Sequence, residues 1–464
     1  MFIAFYFENR FRENLHATFT LWQRLLVFVA LGIIWAGQQV QSQPLYKFNF
    51  GTLVRVKSFL PVLPHNYYSV AAGYGFEPGP EVVGVENGKG NPLFTHYVTS
   101  NQPFYFSVKL PPGNYRVTAW LGDLAGTSAT TIRAECRRAI APQIRTAHGK
   151  ISKVQFNVHI RDSSSAVGGP PLRLKEREHS YLHWDDKLTL EFNDSLPKLC
   201  ALQIEPLQEA VTIFMAGNST VVDQAGEPYA AWGQMFPVFF NYRKKVVVAN
   251  YAESGEALSS FKSAGRLNKV LQQMKPGDYF FIEFAHNDQK QKGAGIGPWD
   301  NYTLLLKEYV EACRQRGGHP VLVTSMHRRS FDSTGKLTNT LGDYPAAMRK
   351  VAEELKVPLI DLHAMSEKLY NSWGPVESAK AFVIYPANTF KNQPTALNDN
   401  THFNTYGAMQ IAKCIIQGIK DLKLPLAKFL KEQMPAFDAT MPDDWQNWYW
   451  PLSPGMAAAK PDGN

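Results

Sequence analysis

Three residues, Ser219, Asp399 and His402, carry the side chains that serine-based acyl transfer requires. Ser219 lies in Ala216–Val221, directly after a short apolar run, and Asp399 and His402 are three positions apart in Asn398–Asn404. A serine hydroxyl is a weak nucleophile until a nearby base takes its proton, and an aspartate can orient an imidazole for that task. Each motif alone also fits a structural role, because serine often caps helices and polar loops before helices often contain both Asp and His.

Two further positions could donate hydrogen bonds to the oxyanion of such a reaction. Gly255 lies in Tyr251–Glu256 after a second apolar run, where a glycine lets a backbone N–H approach a ligand closely. Asn287 lies in Ala285–Asp288 after a third run, and its side-chain amide can donate to developing negative charge. Either residue could equally occupy an ordinary turn. The serine motif is not the GxSxG elbow of α/β-hydrolases.

The chain after Glu209 alternates short apolar runs with helical patterns. A strand buried on both faces needs a continuously apolar sequence, and helices between such strands are typical of a doubly wound α/β fold. The sequence therefore predicts a parallel five-stranded sheet flanked by helices. Functional loops in this fold follow the carboxyl ends of the strands. The predicted strands are Val211–Met215, Val246–Asn250, Tyr279–Glu283, Val321–Thr324 and Val357–Asp361, with helices at Asn301–Arg316, Tyr344–Leu355 and Tyr406–Lys413.

The residues from Tyr46 to Leu207 follow a different pattern, in which apolar and polar side chains alternate over short segments. Turn residues such as those in Pro111–Asn114 separate the segments, because Gly and Asn tolerate the backbone angles of tight turns. This pattern predicts an all-β sandwich ahead of the α/β sheet. The clearest strands are Phe104–Leu110, Tyr115–Trp120, Lys153–Ile160 and Lys187–Phe192.

Taken together and in this order, the serine, glycine, asparagine and Asp/His motifs resemble the SGNH (GDSL-type) hydrolase superfamily. Within it, the chain is similar to the rhamnogalacturonan acetylesterases of carbohydrate esterase family 12. The similarity extends from Val211 to Leu422. The stretches that carry it are GNSTVVDQ (217–224), AAWGQMF (230–236), NYAESGEALSSF (250–261), FAHNDQK (284–290), HRRSFDSTGKL (327–337), LGDYPAAMR (341–349) and DNTHFNTYGA (399–408). Leu110–Asp123 resembles a strand-turn-strand of the jelly-roll modules in carbohydrate-active proteins, which implies a sandwich of the jelly-roll or galactose-binding type.

The resemblance implies that Ser219 is the nucleophile, His402 the base and Asp399 its orienting partner. It further implies an oxyanion hole made by the Ser219 N–H, the Gly255 N–H and the Asn287 side chain, with acetate as the acyl group. The proposed chemistry, acyl transfer to a serine followed by hydrolysis, requires no metal and no organic cofactor.

The chain departs from the superfamily pattern at two positions. Asn218 stands where Asp is usual, and Ala285 stands where Gly is usual. Neither position is the nucleophile, the base or an assigned oxyanion donor, so we expect activity to be retained.

The expected partner is an acetylated polysaccharide of the pectic type, which rests on the resemblance. His327, Arg328 and Arg329 follow the fourth predicted strand, at the edge of the expected cleft. One arginine could pair with a galacturonate carboxylate, whose geometry a guanidinium matches, and a solvated basic loop is the alternative. Esterases acting on acetylated xylan or methylated pectin remain alternative functions. A carbohydrate-binding protein with an inactive α/β domain is the alternative from another class.

The composition argues against a nucleic-acid-binding protein, and the N-terminal sequence predicts an exported one. The 464 residues carry a formal net charge of +8 without the basic stripe typical of a nucleic-acid binder. Leu25–Gly37 is apolar but shorter than the roughly 20 residues of a membrane span, so it predicts a signal peptide cleaved near Ser42. We therefore expect export, periplasmic or extracellular, without stable membrane insertion. The expected segments are the signal at 1–42, the sandwich at 43–208, the esterase domain at 209–433 and an aromatic tail at 434–464.

The cysteines and the aromatic tail each leave two interpretations. Cys136 and Cys200 fall in one predicted domain and could form a disulfide, or all four cysteines could be buried thiols. No cysteine spacing fits a zinc site. The tail segment Trp445–Trp450 could stack on sugar rings, but packing across the two domains is favoured because tryptophans seldom stay in water.

Overall fold

The computed structural model describes residues 46–87, 89–164, 172–457 and 460–462. These described residues form one compact unit. The predicted signal peptide lies outside the described residues. Among the helices that are described, none is long and apolar enough to cross a membrane.

The N-terminal part of this unit is a sandwich of two β-sheets. Its strands are β1 (Tyr46–Phe50), β2 (Leu60–Val62), β3 (Tyr74–Phe76), β4 (Val83–Glu86), β5 (His96–Thr99), β6 (Phe104–Lys109), β7 (Gly113–Gly122), β8 (Ser128–Ala134), β9 (Arg138–Thr146), β10 (Ile151–Ile160), β11 (Lys187–Leu196) and β12 (Lys198–Pro206). One sheet has the order β10-β7-β12-β1-β2 with β5 and β4 attached to β12, and the other has the order β3-β6-β11-β8-β9. Phe48 of the first sheet packs on Phe106 of the second, with ring centroids 5.2 Å apart. The predicted sandwich is therefore present.

The second part is built on a five-stranded sheet in which every pair of neighbours is parallel. Its strands are β13 (Val211–Gly217), β14 (Val246–Asn250), β15 (Tyr279–Glu283), β16 (His319–Val323) and β17 (Leu359–Ile360), in the order β14-β13-β15-β16-β17. Ile213 and Met215 belong to one buried apolar cluster, and Phe214 and Ala216 belong to another. Because successive side chains point to opposite faces, the apolar run serves two cores at once. The predicted doubly wound sheet is confirmed.

Helices cover both faces of this sheet. They are α1 (Trp232–Met235), α2 (Leu258–Ser263), α3 (Arg266–Gln273), α4 (Thr303–Gln315), α5 (Tyr344–Leu355), α6 (Leu362–Glu377) and α7 (Thr405–Asp421). Helices α1, α6 and α7 pack in the cluster of Ile213, and α2 to α5 pack in the cluster of Phe214. The Asn404 side chain accepts the N–H of Gly407 at 3.0 Å and so caps the start of α7.

The Asp399/His402 motif has the polar sequence typical of a loop before a helix, but it lies in a strand. Strand β19 (Leu397–Phe403) pairs with β18 (Phe382–Tyr385) in an antiparallel ribbon, in which Asp399 is opposite Val383. The polar sequence gives no strand pattern of its own, so the pairing partner decides the conformation here.

The aromatic tail packs across the sandwich and the α/β part. The Trp448 indole N–H donates to Thr405 Oγ1 at 3.0 Å, and the Trp450 N–H donates to Glu227 Oε1 at 3.1 Å. The guanidinium of Arg133, from the sandwich, lies 4.0 Å from the ring centroid of Trp450. The structure thus confirms the packing interpretation of the tail.

Candidate active site

Ser219 lies in a tight turn at the carboxyl end of β13. The Asn218 carbonyl accepts the N–H groups of Val221 and Val222, both at 3.0 Å, so the chain turns sharply after the strand. A Cβ on Gly217 would lie 2.8 Å from Val221 Cβ and 3.1 Å from the Glu283 carbonyl oxygen. This position therefore needs glycine for close approach.

Ser219, His402 and Asp399 form one hydrogen-bonded chain. His402 Nε2 lies 2.7 Å from Ser219 Oγ, and His402 Nδ1 lies 2.7 Å from Asp399 Oδ2. All three side chains are buried, with relative exposures of 1–2 %. A carboxylate accepts hydrogen bonds only, so Nδ1 carries the proton and Nε2 is left as the acceptor that faces the serine. The serine hydroxyl therefore bonds the imidazole and does not cap a helix.

Asp399 is held as a carboxylate. Its Oδ1 atom accepts the backbone N–H groups of Thr401 and His402 at 2.9 and 3.0 Å. Burial would raise the pKa of Asp399, but the hydrogen bond and charge of His402 and the two backbone N–H groups outweigh it, so its pKa lies below the ordinary value. The ribbon of β18 and β19 thus presents a charged group that fixes the imidazole.

The predicted oxyanion residues lie on the two neighbouring loops. The Glu253 N–H donates to the Gly217 carbonyl at 3.2 Å, which places the loop of Gly255 against the nucleophile turn. Gly255 has a φ of 81°, which favours glycine. The Asn287 amide donates to the Glu256 carbonyl at 3.0 Å, so the loops after β14 and β15 are joined. The structure brings these residues together, and their role as oxyanion donors stays a prediction.

Comparison with known proteins identifies the family. A profile of the GDSL-like lipase/acylhydrolase family matches residues 214–408. The chain is also 42% identical over 226 residues to rhamnogalacturonan acetylesterase RhgT of Bacillus subtilis (strain 168), across 48% of this chain and 96% of that protein. This chain belongs to the GDSL-like lipase/acylhydrolase family.

Two other similar proteins come from the same organism. Probable rhamnogalacturonan acetylesterase YesY of Bacillus subtilis (strain 168) is 32% identical over 225 residues, across 48% of this chain and 98% of its own. The second is protein YXIM from Bacillus subtilis, whose crystal structure is 24% identical in sequence to this chain and superposes on it with a TM-score of 0.43. The match covers 82% of this chain and 99% of that one.

The asparagine that departs from the GDSL-type pattern retains an acceptor role. Asn218 Oδ1 accepts the N–H of Thr220 at 3.0 Å and its hydroxyl at 2.9 Å. An aspartate oxygen could accept the same two bonds. The Nδ2 atom of Asn218 is buried and has no hydrogen-bond partner within the described part of the chain. The substitution therefore keeps the turn and leaves one buried amide donor unused.

A buried glutamate beneath the nucleophile turn was missed by the sequence analysis. Glu283, the last residue of β15, accepts hydrogen bonds from Ser325 Oγ at 2.7 Å and Trp232 Nε1 at 2.9 Å. Thr220 Oγ1 also lies 3.2 Å from its carboxylate. Burial raises the pKa of Glu283 to about 7 despite these hydrogen bonds. An acidic residue that ends an apolar run, as in FFIE, is the sequence signal for it.

Side chains of the sandwich contact the loop that follows Ser219. Arg138, at the start of β9, pairs with Asp223 at 2.8 Å, and both side chains are at most 3% exposed. The Asp223 carboxylate also accepts the Asn250 amide at 2.9 Å. Gln224 donates to the Ser219 carbonyl at 2.8 Å, and its own carbonyl accepts from Arg137 at 3.1 Å. No local motif predicted these contacts, because they join distant parts of the sequence.

The three predicted substrate-binding residues lie in different surroundings. Arg328 donates to the His286 carbonyl at 3.2 Å, next to the predicted oxyanion residue Asn287. Arg329 donates to Asn400 Oδ1 at 2.7 Å and so supports the Asp399 turn. His327 is buried, and its ring centroid lies 3.7 Å from that of His363. The structure therefore places Arg328 next to Asn287 and Arg329 next to Asp399, whereas the His327 ring packs against His363.

The cysteines are all buried free thiols. Burial raises the pKa of each, to about 12. The pairing of Cys136 with Cys200 is therefore not formed. Within the described residues, no group of three or more His, Cys, Asp or Glu side chains could hold a metal ion.

Proposed function

We propose that this protein is a serine carbohydrate acetylesterase that removes acetyl groups from rhamnogalacturonan. The observation that carries the proposal is the Asp399–His402–Ser219 chain, with both hydrogen bonds at 2.7 Å. The choice of substrate is supported by the 42% identity with rhamnogalacturonan acetylesterase RhgT over nearly the whole of that protein.

The first half of the reaction forms an acetyl-serine. Ser219 Oγ attacks the acetyl carbonyl while His402 Nε2 takes the hydroxyl proton, and Asp399 stabilises the imidazolium that results. When the tetrahedral intermediate collapses, the bond from the acetyl carbon to the sugar oxygen breaks. His402 returns its proton to that oxygen, so the sugar hydroxyl leaves neutral.

The second half releases acetate. A water molecule loses a proton to His402 Nε2 and attacks the acetyl carbon, and the bond to Ser219 Oγ then breaks with return of the proton. In both halves the negative oxygen is stabilised by the Ser219 N–H, the Gly255 N–H and the Asn287 amide. Each such donor contributes about 3 to 4 kcal/mol to the transition state in comparable enzymes.

The charge around the site supports an acidic polymer. Arg328 donates to the His286 carbonyl at 3.2 Å, and Lys460 Nζ lies 3.6 Å from Asp399 Oδ2, so two cationic side chains lie near the proposed active site. Clustered charge of one sign raises the local concentration of an oppositely charged ligand. A galacturonate-containing chain is negatively charged, whereas an unsubstituted xylan is neutral.

We also propose that the protein is exported, because polysaccharides of this kind lie outside the cell. The apolar stretch Leu25–Gly37 with its polar flank supports a cleaved signal peptide. N-terminal sequencing of the protein recovered outside the cell is expected to begin near Gln43. Recovery of only the intact chain inside the cell contradicts export.

Acetate release from defined polymers tests the function. We expect release from acetylated rhamnogalacturonan, little release from acetylated xylan, and a loss of at least about 10⁴-fold in Ser219→Ala. Ser195→Ala, a change at an exposed serine of the sandwich, is the matched control and is expected to keep full activity. Release from xylan alone refutes the pectic substrate, and full activity in Ser219→Ala refutes the mechanism.

A further inference from the structure

The last described residues of the chain lie across the catalytic site. The tail is held up to Ala457 by backbone hydrogen bonds to Glu227 at 2.8 Å. Beyond it, Lys460 Nζ lies 3.6 Å from Asp399 Oδ2. Asp462 lies so close to Gly255 that a Cβ on that glycine would be 2.9 Å from the aspartate Cβ. The tail therefore extends from the triad to the predicted oxyanion loop, where a substrate must enter.

The Asp462 carboxylate is bound by an arginine of the sandwich sequence. Arg177 belongs to a short 3₁₀ helix, Glu176–Ser180, between β10 and β11. Its Nη1 group pairs with Asp462, while Nε and Nη2 donate to Glu253 at 3.2 and 2.7 Å. Nη2 also donates to the Ser254 carbonyl at 2.9 Å, next to Gly255. The guanidinium is thus fixed on the oxyanion loop with one donor turned towards a carboxylate.

The two carboxylates that Arg177 binds differ in exposure. The Glu253 side chain is 1% exposed and is a permanent part of the loop, whereas the Asp462 side chain is 55% exposed. Exposed ion pairs change an equilibrium constant by about one- to fivefold only, so another carboxylate can replace Asp462 at small cost. A preorganised guanidinium binds a carboxylate with little loss of side-chain entropy.

We infer that Arg177 is a specificity residue that binds the carboxylate of an acidic sugar next to the reacting acetyl group, and that Asp462 occupies this position in the free protein. This inference rests on the proposed function, because it names a contact to the acidic polymer. The carboxylate of a uronate residue replaces that of Asp462 and forms the ion pair with Arg177. A neutral ester must displace the tail without forming an ion pair with Arg177.

Point variants of the full chain test the inference with two substrates. The measured quantity is kcat/KM for acetylated rhamnogalacturonan divided by kcat/KM for 4-nitrophenyl acetate, so that any loss of folded protein cancels. Arg177→Gln is expected to lower this ratio about tenfold, and Arg177→Lys, which keeps the charge towards Glu253, to lower it less. Arg173→Gln, at an exposed arginine four residues earlier, is the matched control and is expected to leave the ratio unchanged.

The tail is tested by Asp462→Asn, with the exposed tail residue changed in Asp444→Asn as its control. Asp462→Asn is expected to raise kcat/KM for 4-nitrophenyl acetate up to about fivefold, because the tail loses one ion pair. Unacetylated oligogalacturonate is expected to inhibit hydrolysis of the aryl ester, more strongly in Asp462→Asn and not in Arg177→Gln.

Two results overturn the inference. One is an equal substrate ratio in Arg177→Gln and Arg173→Gln, and the other is oligogalacturonate inhibition that is unchanged in Arg177→Gln. Failure of the proposed function looks different, since the wild-type chain then releases no acetate from the polymer. The inhibition of aryl-ester hydrolysis still decides for or against the carboxylate site in that case.

Discussion

The exchange Asp399→Asn changes the orientation and tautomer of the His402 imidazole while the other contacts of the site are kept. Asp399 Oδ1 accepts two backbone N–H groups, from Thr401 and His402, and an asparagine oxygen can keep both bonds. The atom that replaces Oδ2 is then an NH₂ group 2.7 Å from His402 Nδ1. Because an amide NH₂ only donates, Nδ1 must become the acceptor and the ring proton moves to Nε2. Nε2 then faces Ser219 with a proton already bound.

The magnitude follows from this change of tautomer. A base that is already protonated cannot take the Ser219 proton, and the equivalent exchange in a serine protease lowers kcat about 10⁴-fold. We therefore expect Asp399→Asn to lower kcat by about 10³- to 10⁴-fold, which corresponds to about 4 to 5.5 kcal/mol in the activation barrier. The free energy of unfolding is expected to fall by about 1 to 2 kcal/mol, since one charge-assisted hydrogen bond is lost and the backbone bonds remain.

The assay is steady-state hydrolysis of 4-nitrophenyl acetate together with urea unfolding of the same preparations. Asp438→Asn is the control, because Asp438 is an exposed aspartate whose Oδ1 likewise accepts a backbone N–H, that of Thr440, at 2.8 Å. It is expected to keep full kcat. A loss below tenfold in folded Asp399→Asn refutes the role of Asp399 as the orienting partner.

Three further changes test parts of the structure that support the site. Arg138→Met leaves Asp223 buried without its cation, so the free energy of unfolding is expected to fall by about 3 to 5 kcal/mol in a urea titration. A fall below about 1 kcal/mol contradicts a stabilising role of the Arg138–Asp223 pair. Glu283 has a raised pKa of about 7, so the folded state holds its proton while the unfolded state has lost it, and stability falls as pH rises from about 4.5 to 7. In Glu283→Gln, the fall in the free energy of unfolding between pH 5 and 7 is expected to be smaller by up to about 3 kcal/mol. A fall equal to that of the wild type contradicts the raised pKa of Glu283. Gly217→Ala forces a methyl group against Val221 and is expected to cost about 1 to 3 kcal/mol and at least tenfold in kcat; wild-type kcat contradicts the required close approach.

The sandwich supports the catalytic part through buried pairs as well as through the tail. Arg137 pairs with Glu227 at 2.5 Å, and both side chains are at most 4% exposed. Arg133 pairs with Glu191 at 2.7 Å beneath the tail residue Ser453, whose hydroxyl lies 2.8 Å from the same carboxylate. Breaking a buried ion pair by removing one partner is strongly destabilising. Removal of the sandwich would leave Glu227 and Asp223 buried without Arg137 and Arg138, so it is expected to unfold the α/β part, which removal of an independent accessory module would not cause.

The sequence alone determined the five strands of the α/β sheet, the alternating pattern of the sandwich and the three residues of the triad. Continuous apolar runs predict strands that are buried on both faces, and alternating runs predict strands with one buried face, because both patterns are local consequences of side-chain periodicity. Ser219 follows the first continuous apolar run, and Asp399 and His402 precede the last predicted helix, so the motifs and their order indicate the three residues. The parallel sheet brings the ends of β13, β14 and β15 to one edge, so Ser219, Gly255 and Asn287 could be expected to lie near one another, whereas Asp399 and His402 come from a separate ribbon.

Only the tertiary structure decided which distant residues complete the site. Asp399 and His402 became part of a strand because β18 pairs with them, and no pattern in their own polar sequence indicates it. Arg177 and Asp462 are 285 positions apart, and they meet because the sandwich and the tail both fold onto the loop after β14. Periodicity reports on neighbours within a few residues, whereas such contacts depend on how whole layers pack, which the local sequence does not encode.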